Sequence, residues 1–482
     1  MIEVITRPER EQINNVALES FWVSARQPCI FKLQRRDYTV ISCNADGFGN
    51  TVVKANYDAN IPLEILAGDQ IYFASELDSD GAPNYYGVVG TVVSVTTTVG
   101  VEHLIYTSYP IEAASTGAGY LNVVKRANYY LSGTINVTDS NTAIQHEIPY
   151  KLKGGIDGTM ILDTSDFLTA YLVKEAPTDY AFINKLNKNV YGKFNLVFRE
   201  HWTGDTNIDV GDLSQYNFVD GVKQIGELYG QNFCDYHMFP IAVDPLPKWL
   251  TDFPSPTFFA GFPFCISFIY PNDMTGETLR RNEVEKNQSG ATLSTVQTNM
   301  PDSEIGGVNR LALTETYTSG TKTIDLFIDY NDGVDDVQLL ETITVKLGTV
   351  CTKNNVYLCW INSRGGYDYW LFDKNQIVGF SSKSIGELNS DPTDLATQNF
   401  RSTSIRMESV ERIICGATVS IDDFTGIKGI ERSPAVYVFT GVSSYTWKRM
   451  KVIPKGFQYQ KRGVTVDVSI ELEYPEIYTV SN

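Results

Sequence analysis

Apolar and polar residues alternate with a period of two along much of this chain. The alternation is clean at 134–138 (TINVT), 323–328 (TIDLFI) and 464–472 (VTVDVSIEL). Successive side chains of a strand point to opposite faces, so this pattern predicts half-buried strands. Few windows carry a helical period. Two short helical pieces are expected, one at 164–172 (TSDFLTAYL), where Ser165 and Asp166 stand before an apolar stripe, and a single turn at 248–252. The fold class that follows is mainly β, with several domains and few short helices.

One stretch departs from simple alternation. Residues 356–372 read VYLCWINSRGGYDYWLF. Val356, Leu358 and Trp360 share one face of a strand and Tyr357, Cys359 and Ile361 the other, so both faces are apolar and the strand is expected at the centre of a sheet. Asn362 to Gly366 supplies a turn in which Gly365 or Gly366 takes a positive φ. On the return strand Tyr367, Tyr369 and Leu371 alternate with Asp368, Trp370 and Phe372, giving aromatic cross-strand pairs that hold the register. Ser363 and Arg364 are expected to project from the turn, which makes them candidates for contact with a neighbouring subunit.

The order of strand-like runs divides the chain. Residues 1–37 and 123–180 read as an outer β-sandwich, carrying CIFKLQRRD (29–37) and NYYLSGTINV (128–137). Between them, 38–122 holds LEILAGDQIYFASE, NYYGVVGTVVSVTT and VEHLIYTSY, short closely spaced strands that predict a small β-barrel inserted into a sandwich loop. Residues 181–309 are rich in aromatics, and Pro240, Pro245, Pro247, Pro254, Pro256, Pro263 and Pro271 break any long element, so an irregular β domain is expected. Within it, polar 272–307 predicts a hairpin or an exposed excursion. Residues 310–482 read as a C-terminal sandwich-like domain with a polar loop at 381–399.

Composition narrows the function classes. The 28 Tyr and 24 Phe, with 20% charged residues, suit strands and tight turns. With 39 Lys and Arg against 57 Asp and Glu, the net charge of -18 argues against a general phosphate-binding role, which needs excess cations to displace counterions. Seven cysteines (Cys29, Cys43, Cys234, Cys265, Cys351, Cys359 and Cys415) form no CxxC pair and mostly sit in apolar runs, as expected for buried free thiols in a reducing cytoplasm. No secretory signal pattern opens the sequence. The most apolar run, 257–270, contains Pro263 and is too short to span a bilayer, so core rather than membrane insertion is expected.

Catalytic signatures are absent. There is no GxSxG turn and no GxxxxGK[ST] loop, and the histidines are His103, His146, His201 and His237. His146 and Glu147 begin an HExxH-like string that fails at Tyr150. The acidic group 329–336 (DYNDGVDD) misses the calcium-loop spacing and reads as a hairpin turn with solvated acids. No catalytic residue, metal or cofactor is therefore assigned. Trp202, Trp249, Trp360 and Trp370 are candidate stacking groups, weighed against plain core. Lys448, Arg449, Lys451, Lys455, Lys461 and Arg462 form a basic cluster, either lysine-protected strand surface or an interface for an acidic neighbour.

Four segments together carry a resemblance: NYYGVVGTVVSV, KWLTDFPSPTFFAGFPFCISFIYP (248–271), VYLCWINSRGGYDYWLF, and IERSPAVYVFTGVSSYTWKRMKVIP (430–454). Their order resembles virion proteins of tailed phages that infect Bacteroidetes, including the crAss-like group. The resemblance implies a structural tail component, a hub or ring between portal and tail tip, built from sandwich and barrel modules. The expectation is a non-enzymatic subunit of a cyclic homo-oligomer in the virion tail, assembled in the host bacterial cytoplasm. It would dock other tail, portal or ring proteins, and its acidic surface would let genomic DNA pass without specific binding. The rival expectation is a carbohydrate-binding or carbohydrate-cleaving tail protein with Trp360 and Trp370 as its sugar platform.

Overall fold

The structure is a computed structural model. Outside the residues it describes lie 46–50, 57–64, 75–85, 108–118, 126–129, 154–158, 202–207, 211–214, 223–245, 271–277, 301–306, 351–354, 390–401, 457–462 and a few shorter pieces. Strands take 59% of the chain and helices 7%, which makes the protein mainly β.

The first sandwich faces a three-stranded sheet (Ile2–Thr6, Ile30–Arg35, Met160–Asp163) against a larger one ordered Gln145–Leu152, Tyr130–Asp139, Tyr191–His201, Tyr216–Val219, Trp22–Ser24. Phe31 and Leu33 of the first meet Ile135, Phe194, Phe198 and Tyr216 of the second in one core, with Phe31 edge-on to Tyr216 at 5.5 Å. Between Ile30–Arg35 and Tyr130–Asp139 the chain leaves to form a closed six-stranded barrel, from Tyr38–Ala45 through Gly119–Lys125. Val53, Ile71, Val92 and Ile105 fill it.

Two expected boundaries fail. Strands Tyr191–His201 and Tyr216–Val219, placed by sequence in an irregular 181–309 domain, complete the first sandwich, because Tyr130–Asp139 needs a partner on its second edge. The boundary at 310 cuts two sheets. Gly307–Ala312 pairs with Cys265–Tyr270, and Thr323–Asn331 pairs with Arg280–Lys286. These sheets enclose Trp249, Phe268, Tyr270, Leu311, Leu326 and Ile328. Arg280–Lys286 and the exposed Thr292–Asn299 form the hairpin expected of the polar 272–307 stretch.

The remaining strands make an eight-stranded sheet whose order is Tyr367–Phe372, Val356–Ile361, Val436–Phe439, Trp447–Ile453, Thr465–Glu473, Ser402–Ser420, Lys374–Asn389, with Ile477–Val480 also on Ser402–Ser420. Val356–Ile361 has neighbours on both sides, as its two apolar faces require. Residues 381–389, expected in a loop, instead extend a 16-residue strand, since pairing with Ser402–Ser420 satisfies their backbone despite polar side chains.

Helices are short. One is Ser165–Leu168, extended by a 3-10 turn at Thr169–Tyr171, within the 164–172 stretch read as helical. The Thr164 side chain does not cap it, since its hydroxyl donates to Cys29 O at 3.3 Å; the Asp163 carboxylate takes the Ser165 N–H instead. The second, Ile421–Ile427, was missed, although Ser420 with Asp423 three residues on is a capping pattern: Ser420 Oγ accepts the Asp423 N–H at 3.0 Å. The turn expected at 248–252 is not helical. Trp249 Nε1 reaches Glu341 O at 2.7 Å and Thr251 Oγ1 donates to Asp368, so the segment bends irregularly, with the Thr251 N–H turned back to Trp249 O at 3.0 Å.

Trp370 is 7% exposed, stacked on Phe253 at 5.5 Å and edge-on to Phe259. Trp370→Ala is expected to cost about 3–5 kcal/mol of stability, checked by urea unfolding.

Candidate functional site

The turn of the aromatic hairpin is where three parts of the chain meet. Gly365 has φ +83°, and a Cβ there would lie 2.7 Å from Val219 and 2.9 Å from the Asp220 carbonyl oxygen. Gly366 is tighter still, with its Cβ position 2.2 Å from Leu250 O. Glycine is therefore required twice in succession, once for conformation and once for close approach. Asn362 closes the turn: its Oδ1 accepts from the Arg364 and Gly366 N–H groups, each at 3.0 Å, and its Nδ2 donates to Leu250 O at 2.8 Å.

Ser363 and Arg364 do not project as expected. Ser363 donates to Asp252 through its N–H (3.1 Å to Oδ2) and its hydroxyl (2.5 Å to Oδ1). Its carbonyl accepts from Val222 N at 2.8 Å. Arg364 lies with Nε 3.8 Å from Asp252 Oδ1 and is only 15% exposed. A tip that carries two donors beside a carboxylate folds onto it instead of extending into water.

Behind this turn sits Asp368, 3% exposed. Its carboxyl accepts from Thr251 Oγ1 at 2.6 Å and from the Asp252 N–H at 3.0 Å. Burial, and then the nearby Asp252 charge, push its pKa well above the usual carboxylate range, more than these hydrogen bonds pull it down.

Together these residues floor and flank a cleft of about 580 Å³. Arg26 and Val222 come from the sandwich side, Asp252 and 361–364 from the floor, and Thr425, Lys428, Gly429, Arg432 and Ser433 from the second helix and the 3-10 turn that follows it. Arg26 Nε is bound to the buried Asp220 at 2.5 Å. Among the described residues no aromatic ring lines the cleft. Local pattern carries no signal for this assembly beyond Ser363 and Arg364, because its cations come from three separate stretches of the chain, around 26, 364 and 428–432.

The other candidates fall elsewhere. Lys448, Arg449, Lys451 and Lys455 are exposed on the eight-stranded sheet and its margin, while Lys461 and Arg462 lie outside the described residues. Lys451 meets Glu473 at 3.3 Å and Lys455 pairs with Glu471, whose pKa is held down chiefly by the Lys455 hydrogen bond. Lys448 stands 4.3 Å over the Tyr474 ring, and Arg449 donates to Pro434 O at 3.2 Å. Trp360 is fully buried and Trp370 nearly so, which removes them as a sugar platform. Trp249 is likewise buried, and Trp202 lies outside the described residues.

The 329–336 acids do form a hairpin turn, with Gly333 at positive φ, but Asp329 is not solvated: Arg280 holds it at 2.8 Å and reaches Asp336 as well. His103 bonds Thr97 and has its pKa lowered by burial, His201 stacks on Tyr130, and His146 packs near Tyr171; His237 is outside the described residues. Cys29, Cys265, Cys359 and Cys415 are buried free thiols. Among the described residues no group of His, Cys, Asp and Glu could hold a metal, and no helix is long and apolar enough to cross a membrane.

No family model matches the chain. No curated protein matches it either. Among solved structures it is similar to the N-terminal four Ig domains of Dscam1 isoforms 8.4 and 4.44. Each is 8% identical, with 86% of this chain and 95% of that chain covered and TM-scores of 0.16 and 0.14. Overlap this poor carries no functional argument.

Asp368 makes stability pH-dependent. Its folded pKa is raised, so the native state binds more protons than the unfolded chain from about pH 4 upward. The stability it contributes is present at low pH and lost as pH rises through the folded pKa. Asp368→Asn cannot titrate. The wild type's advantage over this variant is expected to be larger at pH 5 than at pH 8 in urea unfolding.

Proposed function

We propose that this chain is a structural subunit of a bacteriophage tail, a hub or ring component between portal and tail tip that closes into a cyclic oligomer. The observation that carries the reading is the edge strand Lys374–Asn389. It pairs along one side with Ser402–Ser420 and, among the described residues, with no strand on the other. Ile377 and Val378 are each 57% exposed and Phe380 is 72% exposed; Ile385 and, on the partner strand, Ile405 are exposed too. A long edge strand with apolar residues on both faces is a template for pairing with another chain. A copy that adds a strand here buries those side chains, and a head-to-tail contact of this kind closes a ring.

The phage assignment rests on the four segments that resemble tail virion proteins. The excess of acidic residues suits a subunit bordering a DNA path without gripping it, in a virion assembled in the bacterial cytoplasm and docked to other tail proteins. Sedimentation of the purified chain is expected to give a large, defined oligomer, alone or with its virion partners. Val378→Lys with Phe380→Glu should abolish that oligomer while changing stability by less than about 0.5 kcal/mol, since both sites are exposed. A wild type that stays monomeric under every condition, partners included, would overturn the reading.

A further inference from the structure

We propose that the cleft at the aromatic-hairpin turn is an anion site that takes a compact, multivalent oxyanion of phosphate chemistry. This goes beyond self-assembly and is independent of it.

Arg26, Arg364, Lys428 and Arg432 converge on one cleft from three separate parts of the chain, in a protein with 18 excess negative charges. Arg26 and Arg364 each have a carboxylate of the chain beside them, whereas Lys428 and Arg432 add two further charges whose repulsion a bound anion would relieve. Among the described residues the one carboxylate lining the cleft, Asp252, is already engaged by both donors of Ser363, with Arg364 beside it. Arg26 is anchored through Nε on Asp220 and lines the cleft. Lys428 and Arg432 are exposed and make no ion pair among the described residues.

A second observation points the same way. The Trp360 indole N–H is fully buried and has no acceptor. Its Nε1 lies 3.5 Å from the Cβ position of Gly429, a residue that lines the cleft, and Asp252 Oδ2 lies 3.1 Å from the same position. Buried donors without acceptors are rare, and this one stands directly behind the cleft wall.

Size and lining select the ligand class. About 580 Å³ falls within the range of small-molecule sites. Among the described residues no aromatic ring lines the cleft, so these walls offer charge rather than a stacking surface. Recognition falls to charge and to guanidinium forks, which match phosphate oxygens in pairs. The net charge of the chain argued against phosphate binding in general, but that sum does not describe the local field inside a walled cleft.

The test is titration calorimetry of the full chain with sodium pyrophosphate at low salt. The expected result is saturable one-to-one binding that weakens with added salt. Lys428→Ala with Arg432→Ala, two exposed and unpaired positions, should lose about tenfold or more in affinity. Lys448→Ala with Lys451→Ala, neither of which lines the cleft, should lose none. Absence of saturable pyrophosphate binding, or equal binding by the Lys428/Arg432 variant, would overturn the proposal.

Discussion

Asp368 is surrounded by protein, and its carboxyl has nothing but Thr251 and the Asp252 N–H, with Asn362 also contributing, to replace water. A buried carboxyl left without such donors costs far more than any one of these bonds returns, so the 250–252 segment is bound to the hairpin wherever the hairpin goes. Asn362 repeats the logic on the other side of the turn by taking Leu250 O. Ser363 then orients Asp252 and receives Val222. One chain of polar constraints thus joins the first sandwich, the proline-rich segment and the C-terminal sheet, and the cleft is the space left where they meet.

Apolar packing explains why that junction is rigid. Both strands of the aromatic hairpin are buried throughout, and Tyr357, Tyr369, Trp370 and Phe372 share a single core with Phe253, Phe259, Phe264 and residues of the second helix. Rings in this core meet edge-on, tilted or offset at about 4.5 to 6.4 Å, as ring quadrupoles favour. The long Lys374–Asn389 strand stands in contrast. Among the described residues no strand pairs with its outer edge, and Ile377, Val378, Phe380 and Ile385 stay exposed.

Charge is organised locally. On the eight-stranded sheet, Arg412, Lys451 and Lys455 neutralise Glu471 and Glu473, so the basic cluster of the sequence is partly internal pairing. At the cleft the balance reverses, and cations outnumber the carboxylate that lines it. Two surfaces with similar composition therefore differ in what they can bind.

Much of the architecture was legible in the chain itself. Period-two alternation identified the β class, and the doubly apolar 356–361 run implied a central strand with a glycine-dependent turn, because those properties follow from local backbone geometry and side-chain direction. The barrel's position between two sandwich strands was legible for the same reason. Domain limits were not, since the pairing of Tyr130–Asp139 with Tyr191–His201, or of Arg280–Lys286 with Thr323–Asn331, depends on which distant edge needs hydrogen bonds. Nor was the fate of Ser363 and Arg364, which turned inward to a carboxylate 111 residues away from Ser363. The cleft shares that origin: Arg26, Arg364, Lys428 and Arg432 become neighbours only through tertiary folding, because residues so far apart in sequence are brought together by packing and by nothing in their local pattern.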